Sequence, residues 1–160
     1  RADLQGANMK GVDLSRADLS YANLREANLR DVDLRKADLS YANLKGALLT
    51  DANLSGAKLN GADLQNANLM RAQISEAEMT GVNCQGAIMT HVNLNRTNLT
   101  GANLSFTRMN SADLSRANLT KASLQEAEQI EAFHASGGRF PWGDYAGRPG
   151  ASPPTILRYL

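Results

Sequence analysis

Side chains able to do covalent chemistry are few and far apart in this chain. It has one cysteine, Cys84, and two histidines, His91 and His134, which stand 43 residues apart. A nucleophilic thiol or hydroxyl needs a base held within hydrogen-bond reach. Cys84 falls in an inward slot of the pattern described below, where a free cysteine acts as an inert core filler. His134 lies in a stretch with helical character and reads as a structural or exposed residue. No triad of metal ligands and no glycine-rich phosphate loop can be picked out. The carboxylates are numerous but stand on flat surfaces that do not wrap a cation. The sequence therefore predicts no catalytic residues, no metal and no cofactor: it does not read as an enzyme.

What remains is recognition, and a repeat of five residues sets where each recognising group sits. A bulky apolar residue recurs at every fifth position from Leu4 to Leu124. It is usually Leu, with Met9, Ile74, Met79, Cys84, Met89 and Met109 as the exceptions. Two residues earlier stands something small, mostly Ala, with Val12, Val32, Val82, Val92, Thr97 and Thr107 as variants. A helix would scatter a strict five around all its sides, and a straight strand would turn every second Leu outward. The pattern works if each unit is a very short extended piece followed by a corner. The small residue and the Leu then face inward, and the residue between them faces out. The slot two residues after each Leu holds Gly6, Gly11, Gly46, Gly56, Gly61, Gly81, Gly86, Gly101 and Asn66, as a turn with positive φ at its second central residue prefers. Arg16, Tyr21 and Glu26 occupy the same slot, and those corners are expected to use another turn type.

Four such units closing a square make a coil of 20 residues. At about 4.8 Å per coil the stack is roughly 30 Å long. Only 5% of the chain is aromatic although 42% is apolar, which suits a narrow interior of Leu and Ala. The run of Ala-(Asp/Asn)-Leu-X-X, as in Ala17-Asp18-Leu19-Ser20-Tyr21 and Ala22-Asn23-Leu24-Arg25-Glu26, resembles the pentapeptide repeat family. That resemblance implies an all-β chain, a right-handed parallel quadrilateral β-helix (a solenoid). About six coils are expected over residues 1–125. A C-terminal α-helical cap is expected over residues 126–136, and a Pro/Gly-rich tail, docked or flexible, over 137–160. Family members are mostly non-enzymatic. Several bacterial ones protect DNA gyrase by mimicking DNA, and some eukaryotic ones append the repeats to a BTB domain.

With 20 residues per coil, residues 20 apart stack into columns. Cys84 then lies between Leu64 and Leu104. Outward Asn residues can hydrogen-bond along their column, whereas Asp13 over Asp33 and Asp18 over Asp38 should repel, with Arg16, Arg35 and Lys36 near enough to relieve them. Tyr21 and Tyr41 should stack on one corner, as a packing pair or as a contact point for a partner. Leu48 and Ile88 occupy outward slots on one face where Asn or Asp is the habit. Met70 follows the outward slot of the coil between them, and Phe106 holds the corner leading onto that face. These four apolar groups are the candidate partner-binding wall, with Tyr21 and Tyr41 second. The C-terminal tail, an external partner or accidental exposure would each account for them.

A net charge of +1 does not favour nucleic acid. Residues 1–125 hold 14 Lys and Arg against 12 Asp and Glu, the wrong balance for a DNA mimic. No apolar run approaches the roughly 20 residues of a membrane span. The lone cysteine and the lack of a signal segment favour the cytoplasm. The sequons at Asn53, Asn98, Asn103 and Asn118 arise from the repeat itself and say nothing of secretion. The chain begins at Arg1 in mid-pattern, which points to a fragment of something longer, and an uncapped first coil invites end-to-end self-association. The expected function is a non-enzymatic protein–protein interaction scaffold with an unidentified protein partner. A gyrase- or topoisomerase-binding DNA mimic, or an adaptor segment of a larger multidomain protein such as a BTB-repeat protein, are the alternatives.

Overall fold

In the computed structural model, residues 1–127 are described; the expected capping helix, the tail and His134 lie outside them. Each outward residue from Asp3 onward pairs in parallel with the residue 20 further on, as in Asp3 with Asn23, Asn43 with Asp63 and Asn103 with Ser123. The pairing is by single-residue bridges, because a unit of five spends too many residues on its corner to extend further. Four columns of bridges result, one per side of a square tube. Face one carries Asp3, Asn23, Asn43 and Asp63 outward; face two Asn8, Asn28, Leu48, Asn68, Ile88 and Arg108; face three Asp13, Asp33, Asn53 and Gln73; face four Asp18, Asp38, Lys58, Glu78 and Asn98.

Backbone bonding explains why the coil repeats without slippage. The Leu4 amide donates to the Asn23 carbonyl at 2.8 Å, and the Asn23 amide returns a bond to the Ala2 carbonyl at 2.9 Å. The corner residue Gly6 donates to Arg25 at 2.8 Å, and Ala7 closes the turn onto the Leu4 carbonyl at 3.0 Å. The fifth amide of the unit is met by a side chain. Every Asp and Asn in an outward slot from Asp3 to Asn118 accepts at Oδ1 from the backbone N–H two residues on, at 2.8 to 3.4 Å. The outward Asp/Asn of the repeat is thus a turn-capping residue of the Asx type as well as a solvated one.

The corners depart from expectation. Non-glycine corners adopt the same positive φ as glycine ones: Arg16 has φ 60, Tyr21 57 and Glu26 56, against 65 at Gly6 and 69 at Gly11. A single geometry closes every corner because the coil-to-coil bonds over-determine it. The Arg16 and Tyr21 amides each donate to the next coil at 2.9 Å, and these bonds outweigh a left-handed cost of about 1 kcal/mol per residue.

Inside, Leu24 through Leu69 in steps of five are fully buried, with Ala, and once Val32, on the neighbouring inward slots. Cys84 is fully buried where Leu would otherwise stand. Thr97 and Thr107 take the small inward slot and bury their hydroxyls without leaving them unsatisfied: Thr97 Oγ1 donates to the Ile74 carbonyl at 2.8 Å and Thr107 Oγ1 to the Leu104 carbonyl at 2.7 Å. In the first coil Leu4, Met9 and Leu14 are only half-buried and Val12 is exposed.

Candidate protein-binding surface

Face two is where the repeat departs most from its polar habit. Leu48 and Ile88 stand on one outward column, separated by Asn68 and followed by Arg108. Met70 sits in the coil between them at the trailing edge of the wall, and Phe106 in a later coil at the leading corner. The set is a diagonal of apolar groups spread over four successive coils, roughly 14 Å along the axis. Leu48, Met70 and Ile88 are half-buried and Phe106 is 51% exposed. Because Leu48 and Ile88 replace Asx residues, the amides of Thr50 and Thr90 lose the side-chain acceptor that the amides of Met70 and Arg30 receive from Asn68 and Asn28 on this face. Lys58, Gln73, Glu78 and Arg108 also give up that bond, but they gain water-seeking groups; Leu48 and Ile88 gain only apolar surface.

The trailing corner of this wall is charged. Arg71 donates to Asp51 through Nε at 2.7 Å and Nη2 at 2.6 Å, and its Nη1 lies 3.6 Å from Met70 Sδ. The hydrogen bond from Arg71 is the main reason the Asp51 carboxyl is held below the usual carboxylate range.

A second surface lies on the corner between faces four and one. Tyr21 and Tyr41 stack with centroids 5.1 Å apart and planes 16° apart. The Arg1 guanidinium covers the outer face of Tyr21 at 5.3 Å from its centroid. The next corner positions in the column, Gly61, Gly81 and Gly101, carry no side chains. The Tyr41 ring leans over the first of them: a Cβ at Gly61 would come within 2.7 Å of two ring carbons. Beyond Tyr41 opens a shallow groove of about 590 Å³ lined by Tyr41, Asn60, Gly61, Glu78, Thr80, Gly81 and Asn98. Asn60 Nδ2 donates to Glu78 Oε2 at 3.2 Å, and Asn98 Nδ2 to Thr80 Oγ1 at 3.2 Å. Sequence reasoning found the tyrosines and missed the groove. The available signal was the run of glycines at 61, 81 and 101, spaced by one coil and following Tyr21 and Tyr41.

The stacked carboxylates coexist through local bonds. Ser15 donates its amide to Asp13 at 2.8 Å and Ser20 its amide to Asp18 at 3.0 Å, while Arg35 forks onto Asp33 at 2.9 and 2.6 Å. Hydrogen bonds from Ser15, Ser20 and Arg35 respectively are the leading reason these three carboxyls titrate low. Arg16 and Lys36, expected to share the task, pair with none of them among the described residues. Within the same residues no group of three or more His, Cys, Asp or Glu side chains is placed to hold a metal ion, and no helix is long and apolar enough to cross a membrane.

A family model described as pentapeptide repeats matches the chain in successive overlapping copies, from residues 1–35 through 97–128. A solved pentapeptide repeat protein from Nostoc PCC 7120 is 36% identical over 55% of this chain and 70% of its own, with a TM-score of 0.51. One from the Arabidopsis thaliana thylakoid lumen is 31% identical over 74% of this chain and 72% of its own, with a TM-score of 0.46. A third, from Cyanothece 51142, is 26% identical over 82% of this chain and 89% of its own, with a TM-score of 0.47.

Proposed function

The chain belongs to the pentapeptide repeat family, with its right-handed quadrilateral β-helix, and from that premise we propose that it is a non-enzymatic scaffold that holds a partner protein against face two. The observation that carries this reading is the pair Leu48 and Ile88. At both positions the chain gives up an Asx-to-amide bond, a contribution of about 1 kcal/mol, for an aliphatic side chain on a wall otherwise polar. Met70 and Phe106 extend the same diagonal, and a rigid repeat wall holds such anchors at fixed spacing. The family's members are typically structural or binding proteins, and a packed Leu interior offers no cleft for a substrate. The fully buried cysteine suits a reducing compartment such as the cytoplasm.

Gyrase binding by DNA mimicry is the weaker reading. Mimicry needs an unbroken line of negative charge, and the columns interrupt it: face four runs Asp18, Asp38, Lys58, Glu78, Asn98, and face three passes from Asp33 to Asn53 and Gln73.

The test is the Leu48→Asn/Ile88→Asn double variant, which restores the repeat's habitual residue and so keeps the fold. Used as bait in an extract of the source cell, it should lose proteins that the unaltered chain recovers. Recovery of the same proteins in the same amounts would remove face two as the binding wall.

A further inference from the structure

We propose that the groove beyond Tyr41 seats the guanidinium of an arginine side chain presented by a partner protein. This rests on the scaffold reading but uses a different surface, the corner between faces four and one.

The groove is shaped by what the corner column lacks. Tyr21 and Tyr41 set a spacing of one ring per coil, 5.1 Å between centroids. The Tyr41 ring itself leans over Gly61. At Gly81 the column is open, with nothing within 4 Å of where a Cβ would stand, so a flat group entering there extends the stack. Tyr21 covers one face of Tyr41, and Tyr41 lines the groove. The opposite end of this stack already shows what it accepts: the Arg1 guanidinium lies 5.3 Å from the Tyr21 centroid. A planar cation suits an aromatic face on both shape and charge.

The polar lining selects the same group. A guanidinium offers donors only and needs acceptors. Glu78 supplies a carboxylate steadied by Asn60, and Thr80 a hydroxyl oxygen steadied by Asn98, both at 3.2 Å. Lys58 precedes Glu78 on the wall and does not line the groove; its column places it between Asp38 and Glu78, two carboxylates. An ammonium has the charge but cannot stack as a plane, and a neutral aromatic group brings no charge to the Glu78 carboxylate.

The experiment is an NMR titration of the full chain with the tripeptides Gly-Arg-Gly, Gly-Lys-Gly, Gly-citrulline-Gly and Gly-Phe-Gly. Citrulline keeps the arginine shape without its charge. The expected result is a saturable shift of the Gly61 and Gly81 amides with the arginine peptide, binding about fivefold weaker with lysine, and no saturation with citrulline or phenylalanine. Tyr41→Ala should weaken the arginine response by about fivefold, and Glu78→Gln by about threefold. Gly81→Tyr should abolish it. Gly81→Tyr is tolerated by the corner, since Tyr21 and Tyr41 already hold φ 57 and 58 there, and unchanged amide shifts in distant coils certify its fold. Equal responses to arginine and citrulline, a stronger response to phenylalanine, or no shift at Gly61 and Gly81 with any peptide would overturn the proposal. The titration needs no natural partner, so its failure is separable from failure of the Leu48–Ile88 bait experiment.

Discussion

Tyr21 and Tyr41 lie 20 residues apart in sequence and stack at 5.1 Å with their planes 16° from parallel. Both sit at corners with positive φ, a conformation that costs a tyrosine energy. The stack returns part of that cost, because paired rings are worth about 0.5–1.5 kcal/mol beyond their buried area. Tyr21→Ala and Tyr41→Ala should each lower stability by about 1 kcal/mol. The double variant should lose less than the sum of the two, as chemical denaturation of the three proteins will show. Full additivity would mean that the rings do not support each other.

Restoring Asx residues on face two separates stability from binding. Leu48→Asn and Ile88→Asn each supply an acceptor to the amide two residues on, as Asn68 does for Met70 at 3.1 Å. Neither should destabilise the fold by more than about 0.5 kcal/mol, measured by urea unfolding. Asn98→Ala should cost about 1 kcal/mol, since Asn98 accepts from both the Thr100 amide and its hydroxyl and donates to Thr80.

Relief of corner strain should stabilise the tube. Arg116 holds φ 60, and its side chain makes no ion pair among the described residues. Arg116→Gly removes a left-handed cost of about 1 kcal/mol and adds a smaller backbone-entropy cost to folding. The expected net is a gain of about 0.3 kcal/mol, whereas Arg116→Val should lose more than that through its branched Cβ. A midpoint that falls for the glycine variant would show the corner to be unstrained.

Cys84 should be silent to thiol reagents in the native state. Burial pushes its thiol up to about 12, and its side chain has no solvent exposure. Ellman's reagent should react only at the rate of unfolding, reaching full stoichiometry in denaturant. A fast native-state reaction would place the thiol outside the core.

Acid stability follows from the carboxylates. Asp13, Asp18, Asp33 and Asp51 are held below their ordinary value of 3.8 by hydrogen bonds from Ser15, Ser20, Arg35 and Arg71. A carboxyl depressed in the folded state contributes stability that is complete above its unfolded value and is lost as pH falls through the folded one. The unfolding midpoint should therefore hold level from pH 7 to about pH 4 and decline below it. Because these groups are exposed, added salt should shrink the decline. A loss beginning near pH 6 would mean that these four carboxylates do not set the acid limit.

The tube itself was legible from Leu4 to Leu124, because an interior one leucine wide allows no other use of a bulky residue every fifth position. The column partners of Cys84, Tyr21 and Leu48 followed by counting in twenties. Three things needed the coordinates. The uniform left-handed corners did, since intrinsic preference at Arg16 or Glu26 argues against them and only coil-to-coil hydrogen bonds overrule it. The turn-capping role of the outward Asp and Asn did, because it depends on where Oδ1 points. The groove beside Tyr41 did as well: Glu78, Asn98 and Gly61 lie far apart along the chain and meet only when one coil closes on the next. Sequence decided which residues face water, since that depends on period alone; the tertiary structure decided which of those residues touch, since that depends on the stacking distance between coils.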